Sequence, residues 1–499
     1  MKQRQFLCID LLNTFSEKEL EGLKELVSCK YFNTDRYISP LLRLLKKHVL
    51  GKTAFTSELQ VKVYAEVFFN LPRPNDTLDK KQRSHLNAKM SILTRLAERF
   101  LVAENISNDE LQKNELLYDT LLKRRQIRLF EKRMKGDNKI LDEQKKVDEL
   151  HHYQRYIIER KQMDYLYQTG RLVAEDNLPK IISELDTYYL LSKLSLYSTA
   201  LSLQHASSKK QYDSEVFKAG ISELMKRPEY ARHPIVELFI TSVTLLETKN
   251  NDTYTKLLAL LDEHAEIVPI YLMKSFYGTA NVYCAGQIIL GHVKYNQKVF
   301  DLMKIMHDKN LFVEDNFIQI GQIKNMVTVA CRVEEYDWAE EILDHYKRYI
   351  RREIRDSVYH FNFGAIAFYK KDYEAAHDKF IQVDKIDTVY DINTRVLILK
   401  CLYQKETEYS EYTMQAFRSA ERFFKNHQSI TPKSKKGYKN FIQILIALYR
   451  TRHNINAKPE DIERIKNKLN EQKVNSDKRW LLEKIEDLRG ETRGERRER

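Results

Sequence analysis

Glycine and proline are scarce in this chain. Its 499 residues include 13 Gly and 9 Pro, whereas ordinary usage gives about 35 Gly and 25 Pro in a chain of this length. A shortage of turn-forming residues indicates a mostly helical chain with short connections, and no stretch alternates apolar and polar residues for long enough to indicate a sheet. The sequence therefore predicts an all-α protein, built as several domains or as one elongated array.

Cysteine is also scarce, and long apolar runs are absent. The five cysteines form no CxxC pair, so we expect free thiols in a reducing compartment. Apolar segments such as residues 441–449 are well short of the roughly 20 residues that cross a membrane. The first residues lack the pattern of a signal peptide. These features predict a cytoplasmic protein without a membrane span.

Positive charge is concentrated at the two ends of the chain. The net charge is +13. Residues 1–100 hold 18 Lys and Arg against 11 Asp and Glu, and residues 401–499 hold 23 against 15. The residues between them are close to neutral. Because acids dilute both basic regions, the pattern does not by itself indicate a nucleic-acid stripe.

Helix signals divide the chain into segments. The patterns at 16–19, 57–60 and 107–110 are typical of capping boxes, and the two prolines of residues 71–76 indicate a loop. A helix is predicted from Leu78 to Val102. The apolar spacing predicts the following core positions on it: Leu86, Met90, Leu93, Ala97 and Phe100.

The domain prediction follows this pattern. A helical N-terminal region (1–105) is followed by a long charged helical hairpin (106–170), which residues 136–138 break into two antiparallel helices. Shorter helix pairs occupy 171–430, a helical cap occupies 431–489, and the charged tail 490–499 is predicted to be disordered.

Two of these helix pairs are copies of one another. Residues 325–346 and 362–383 superpose without a gap at an offset of 37 residues. Tyr336 matches Tyr373, and Ala339 matches Ala376. A third, poorer copy follows, with Tyr409 lying 36 residues after Tyr373. A period of this length over paired helices indicates a helical repeat array, and both alanines are predicted to be buried.

The second copy resembles the tetratricopeptide repeat (TPR) family. Gly364, Tyr373, Ala376 and Phe380 are similar to its pattern, although Ala367 replaces the usual tyrosine and Thr388 the usual terminal proline. The resemblance implies a TPR-like right-handed α-α superhelix. The chain as a whole also resembles large bacterial helical-repeat proteins, which implies no activity.

A peptide-binding groove follows from the same resemblance. Asn325 and Asn362 occupy matching places on successive first helices, and the resemblance implies that this place faces a concave groove. Lys324 and Arg332 are expected on the same face. The four residues are predicted to bind an acidic peptide or a C-terminal carboxylate, although Asn is also common at this repeat position.

Two motifs resemble chemical sites and are incomplete. The GKT at 51–53 lacks the earlier glycine of a phosphate-binding loop, because Lys46 stands there, and we interpret Gly51 as a helix end. His151 and His152 follow Asp148 but lack a third metal ligand, and a solvated charged face is the expected alternative. The sequence predicts neither a metal nor a cofactor.

Basic and aromatic residues have ordinary structural interpretations. The basic run 123–135 places Arg124, Arg128 and Lys132 on one face, and we expect acids beyond the turn to neutralise it. The basic residues of 431–440 are expected to be exposed. The many tyrosines and phenylalanines are predicted to pack in the core.

The sequence favours a non-catalytic interaction or scaffold protein that holds a peptide or a partner helix. The alternative is a nucleic-acid-linked regulator that uses the basic N-terminal region, with residues 78–96 as a recognition helix. An enzyme would need a nucleophile or metal pocket, and the sequence indicates neither. The identity of the partner stays open.

Overall fold

The computed structural model describes residues 7–51, 55–171, 177–206, 211–384, 386–406 and 408–494. It confirms the all-α prediction, because helices account for nearly all of the regular structure in these ranges. The chain divides into an N-terminal unit, Met1–Tyr189, and a C-terminal unit, Leu190–Arg499. None of the described helices combines the length and the apolar character needed to cross a membrane.

Helices of 6 to 29 residues build the N-terminal unit. They are α1 (Leu7–Leu12), α2 (Glu17–Ser28), α3 (Ile38–Leu50), α4 (Ser57–Val67), α5 (Lys80–Asn108), α6 (Glu110–Lys123), α7 (Ile127–Glu143) and α8 (Glu149–Gln168). The next helix, α9 (Leu178–Ala206), contains the boundary between the two units.

The long helix α5 provides one wall of the first core. It contacts α1, α2 and α3, and all five of its predicted core residues are buried. Its capping residue is Asp79, and the helix continues past the predicted end to Asn108. The capping box at Ser16 is confirmed. At the other two sites the caps are Thr56 and Asp109, so the predicted cap positions were wrong.

The predicted hairpin of two long helices is wrong, because three helices, α6, α7 and α8, occupy this segment. Residues 136–138 lie inside α7, and the chain turns instead at Arg125, which has a left-handed φ of 55°. Asp137 is buried there and accepts hydrogen bonds from Asn114 Nδ2 at 2.7 Å and from the Tyr118 hydroxyl. The segment therefore has a small core of its own, around Tyr118, Phe130 and Tyr165.

The C-terminal unit consists of short helices followed by helix pairs. Its elements are α10 (Ser214–Lys218), α11 (Ile221–Leu224), α12 (Pro228–Ala231), α13 (Pro234–Thr248), α14 (Asn251–Glu263), α15 (Ile270–Ile289), α16 (Tyr295–Asp308), β1 (Val313–Glu314), β2 (Phe317–Ile318), α17 (Ile320–Arg332), α18 (Tyr336–Tyr346), α19 (Arg355–Tyr369), α20 (Tyr373–Phe380), α21 (Thr388–Lys405), α22 (Glu411–Asn426), α23 (Pro432–Arg452), α24 (Pro459–Glu471) and α25 (Lys478–Gly494).

Consecutive helices of this unit pack as neighbours along the chain. α13 packs on α14, α15 on α16, α17 on α18, α19 on α20 and α21 on α22, and each pair also contacts the next. β1 and β2 form a two-stranded antiparallel hairpin between α16 and α17. The buried residues of α13 to α20 form one continuous cluster, which also takes in Tyr390 and Cys401 of α21.

A separate core holds the C-terminal helices together. It extends from Leu399 on α21 to Leu488 on α25 and includes Trp480. The tail was predicted to be disordered from residue 490, but α25 continues to Gly494, and residues 495–499 lie outside the described residues. All five cysteines are free thiols, as predicted, and Cys29 is the exposed one.

Candidate interaction surface

The copied helix pairs match in structure as they do in sequence. α17 ends at Arg332 and α18 begins at Tyr336, while α19 ends at Tyr369 and α20 begins at Tyr373. Both boundaries keep the offset of 37 residues. Ala339 and Ala376 are fully buried, which confirms the prediction made for these alanines. The first helices α17 and α19 also contact each other.

The two pairs turn in the same way. Glu334 and Lys371 occupy equivalent positions with left-handed φ angles of 66° and 65°. In the first turn the amide of Glu335 donates to the carbonyl of Ala330 at 3.0 Å, and in the second Asp372 donates to Ala367 at 3.0 Å. This is the hydrogen bond of a Schellman motif, which usually has Gly at the left-handed position. The chain therefore makes these turns without glycine.

One exposed face of α17 carries two of the predicted binding residues. Asn325 and Arg332 are exposed and share this face with Gly321 and Thr328, since residues four, seven and eleven apart lie on one side of a helix. We call these four residues the α17 face. A Cβ atom added at Gly321 would meet no atom within 4 Å, so the space next to the start of the helix is open.

Lys324 lies at the edge of the α17 face and is half-buried. Burial lowers the pKa of Lys324, and the nearby carboxylate of Asp387 acts in the opposite direction. A positive charge that is partly removed from water, next to an open helix face, attracts an anionic ligand more strongly than a solvated lysine does.

Asn362 was predicted to line the groove, and this is wrong. Asn362 is completely buried in α19, and its Nδ2 donates to the carbonyl of Val358 at 2.7 Å, one turn earlier. No ligand on the surface can contact it. The structure therefore brings Asn325, Arg332 and Lys324 together at α17 and leaves Asn362 inside the core.

Tyr390 explains why matching asparagines have different surroundings. α21 begins about one turn earlier in the repeat frame than α19, since Thr388 is 33 residues after Arg355 and not 37. This added turn carries Tyr390, whose ring packs on Phe361 at 4.7 Å between centroids and whose hydroxyl donates to Ile320 O at 2.8 Å. Sequence reasoning missed Tyr390, although Asp387 is a recognisable helix cap that marks the earlier start.

Apolar side chains flank the start of the α17 face. Phe317 of the hairpin is 56% exposed and precedes α17 by three residues, and Val389 is exposed beside Tyr390. Lys274 of α15 forms an ion pair with Glu314 of the hairpin. The hairpin is thus tied to α15, and the exposed Phe317 lies three residues before the start of α17.

The histidine pair of α8 was predicted to lie on a solvated face, and this is wrong. His151 is buried, and its Nδ1 lies 2.8 Å from Gln144 Oε1, while Arg155 Nε donates to its Nε2 at 3.3 Å. His152 Nδ1 lies 2.7 Å from Glu184. Asp148 caps the helix by accepting from the amide of His151. Within the described ranges, no three His, Cys, Asp or Glu side chains are placed to hold a metal ion.

We predict that His151 makes the N-terminal unit less stable in acid. Burial lowers the pKa of His151 to about 4, whereas an unfolded histidine titrates near 6.5. Between these values the unfolded chain binds a proton that the folded chain does not, so stability falls as the pH drops from 6.5 towards 4. Urea unfolding at pH 7 and pH 5 should show a loss on the order of 1 kcal/mol that depends on this residue.

The matched variants for this pH prediction are His151→Gln and, as a control in the C-terminal unit, His264→Gln. His151→Gln should remove that part of the pH dependence, while His264→Gln should leave it in place. An unchanged pH dependence in His151→Gln contradicts the prediction.

In the described residues, the two remaining motifs belong to ordinary helices. Gly51 ends α3 as expected, and Lys52 and Thr53 lie outside the described residues. Residues 78–96, proposed as a recognition helix, form much of α5, whose apolar face is buried in the core and whose Lys89 pairs with Asp35 at 2.6 Å. Its exposed cations include Lys80, Lys81 and Arg95.

The basic run of 123–135 is not neutralised as predicted. Arg133 pairs with Glu110 at 2.7 Å, but Arg124, Arg128 and Lys132 are exposed and have no ion-pair partner among the described residues. The acids of α7 point elsewhere, as Glu131 contacts the Tyr165 hydroxyl and Asp142 pairs with Arg155.

No protein-family model matches the chain, and neither curated proteins nor solved structures give a significant match.

Proposed function

We propose that this chain is a non-catalytic interaction protein that binds an extended acidic peptide on the α17 face. The supporting observation is the contrast between two matched helices. In α19, Asn362 is buried and hydrogen-bonded to Tyr390, whereas in α17, Asn325 and Arg332 are exposed on the same face as Gly321, which has open space around it. TPR-like stacking of the helix pairs is part of this proposal.

The dimensions of the face suit a short extended segment. Gly321 and Arg332 are eleven residues apart, which is about 16 Å along a helix. An extended peptide rises about 3.3 Å per residue, so about five residues span the face. Phe317 and Val389 would contact an apolar residue at one end, Asn325 would bond the peptide backbone, and Arg332 would pair with a carboxylate at the other end.

Selection from a displayed random peptide library tests this function. We expect peptides selected on the full chain to contain Asp or Glu near an apolar residue. In fluorescence anisotropy, the double variant Asn325→Ala, Arg332→Glu should weaken binding by about tenfold or more, because it removes two polar contacts worth on the order of 1 kcal/mol each.

The matched control is the double variant Gln382→Ala, Lys379→Glu at exposed positions in and beside α20. It removes one amide and reverses one cation, as the test variant does, but away from the α17 face. Failure to enrich any peptide, or equal affinity of the two double variants, contradicts the proposed function.

A further inference from the structure

The outer side of α15 is a surface without free charge. Residues 267–293 contain a single Lys, Arg, Asp or Glu, which is Lys274. Lys274 pairs with Glu314 of the hairpin, so its charge is already balanced. The chain as a whole has a net charge of +13, and two copies of it therefore repel each other over much of their surface, but not along α15.

The outward positions of α15 follow the spacing of a heptad repeat. They alternate in steps of four and three residues, which keeps them on one side of the helix and suits pairing with a second helix. Each of them is exposed or half-buried. The six residues, which we call the α15 face, are Tyr271, Ser275, Gly278, Val282, Ala285 and Ile289.

Large apolar side chains are exposed at both ends of the α15 face. Between 50% and 85% of their surface is exposed, and they belong to Ile270, Tyr271, Ile289, Leu290 and Val293. Exposed apolar side chains that cluster in this way usually mark a contact site. The middle of the face is lined by small residues, and a Cβ atom added at Gly278 would meet no atom within 4 Å. The surface is therefore raised at its ends and low between them.

This relief matches a second copy of α15 that runs antiparallel to the first. About a two-fold axis, each residue contacts the residue at the same distance on the other side of the axis. With the axis at the level of Ala280, the large end residues meet each other and small residues meet in the middle. The pairs are Tyr271 with Ile289, Ser275 with Ala285 and Gly278 with Val282. A parallel pair would instead place Gly278 opposite itself and leave a gap, which close packing disfavours.

The exposed apolar area suits a reversible dimer. Full burial of one aliphatic side chain removes about 100 Å² from water, so the large side chains at the ends lose roughly 300 Å² in each copy and about 600 Å² in the dimer. The small residues between them add to this area and bring it near the roughly 1,000 Å² of a small specific interface. Interfaces of this size are transient, so the association should depend on protein concentration.

We propose that two copies of this chain associate through the α15 face, with the two helices antiparallel. Burial of the large end residues drives the contact, and the small residues between them let the helices approach closely. The α15 face is on a different helix from the α17 face, and the proposal does not depend on the proposed peptide site.

Sedimentation equilibrium of the full chain over a wide range of concentrations tests the proposal. We expect a reversible equilibrium between monomer and dimer for the wild type. The double variant Ser275→Glu, Ala285→Glu should weaken dimerisation by about tenfold or more, because like charges meet at both pairs of positions. The double variant Ser275→Glu, Ala285→Lys should retain the dimer, because antiparallel pairing places each Glu opposite a Lys of the other copy.

A mixing experiment identifies the partner as a second copy. The double variant Ser275→Lys, Ala285→Lys should also be monomeric by itself, since it again brings like charges together. An equal mixture of this variant with Ser275→Glu, Ala285→Glu should form dimers again, because opposite charges then meet. Recovery in the mixture also shows that both variants are folded.

A glycine variant tests the close approach of the two helices. Gly278→Leu adds a side chain where the single chain has open space, so it should keep the thermal midpoint of the monomer while preventing dimerisation. The matched control is Gly136→Leu on α7, where an added Cβ atom also meets no atom within 4 Å. This control should leave the dimer intact.

The contrary outcomes are equally clear. A wild type that stays monomeric at all concentrations overturns the proposal and leaves the α15 face to a partner of another kind. Equal dimerisation of the Glu, Glu and the Glu, Lys variants also overturns it, as does a dimer that persists in Gly278→Leu. An association that weakens as salt rises is carried by ion pairs and not by this uncharged face, because salt screens charges, and it contradicts the proposal as well.

Discussion

Replacing Gly364 by valine is expected to destabilise the C-terminal unit by about 3 kcal/mol. A Cβ atom at Gly364 would lie 2.8 Å from Cε1 of Phe380, and Phe380 is itself fully buried, so its ring has no space to retreat into. Overpacking of this kind typically costs 1–3 kcal/mol. Both tryptophans, Trp338 and Trp480, lie in this unit, so denaturant unfolding followed by their fluorescence measures the loss.

The preceding helix pair provides the compensating change. Val327 and Leu343 occupy the places of Gly364 and Phe380 at the offset of 37 residues. The double variant Gly364→Val, Phe380→Leu should therefore recover most of the lost stability, with a coupling of about 1.5 kcal/mol or more. Gly286→Val on α15, where a side chain meets no atom within 4 Å, should be close to neutral. If the losses of stability caused by Gly364→Val and by Phe380→Leu simply add, the prediction that the two helix pairs pack alike is contradicted.

Asp137→Ala is expected to destabilise the three-helix segment of the N-terminal unit by about 3 kcal/mol. The substitution leaves the buried Tyr118 hydroxyl and Asn114 Nδ2 without their acceptor, and each orphaned polar group costs about 1–3 kcal/mol. Hydrogen exchange of residues 110–168, followed by mass spectrometry, measures this loss, because the segment contains no tryptophan.

The control for Asp137 removes the whole polar cluster. The triple variant Asp137→Leu, Tyr118→Phe, Asn114→Leu leaves no unsatisfied group and should be closer to wild-type stability than Asp137→Ala. Burial raises the pKa of Asp137, and the hydrogen bonds from Tyr118 and Asn114 oppose this rise. The contribution of this carboxyl to stability is therefore greatest at low pH and declines as the pH rises through its raised pKa. Protection of residues 110–168 that is equal in Asp137→Ala and wild type contradicts the prediction.

Local patterns were sufficient to predict several features of the fold. The buried residues of α5 follow from helical spacing, which depends on residues three and four apart, and the buried Ala339 and Ala376 follow from the 37-residue offset between two similar segments. The cap at Ser16 is equally local, since its partner Glu19 is three residues away. These predictions required only contacts within a helix or between helices that are neighbours in the sequence.

The errors arose where distant residues decide the structure. Gly136, Asp137 and Asn138 resemble a turn, but Asn114 and Tyr118, about 20 residues earlier, supply the hydrogen bonds that keep Asp137 inside a helix. Asn362 is buried and hydrogen-bonded to Tyr390, which lies on another helix. The basic run of 123–135 is exposed in turn because Glu131 and Asp142 contact residues of α8. A sequence pattern contains the residues of such contacts but not their pairing.

The matching turns at Glu334 and Lys371 have a consequence for the evolution of this protein. Because the helix boundaries of α17 and α18 recur in α19 and α20 at a spacing of 37 residues, a gene segment that encodes one such pair can be duplicated or deleted without interrupting a helix. Each pair contacts mainly its neighbours along the chain, as expected when helix pairs stack in sequence. The number of such helix pairs is therefore easier to alter than the chemistry of any single helix.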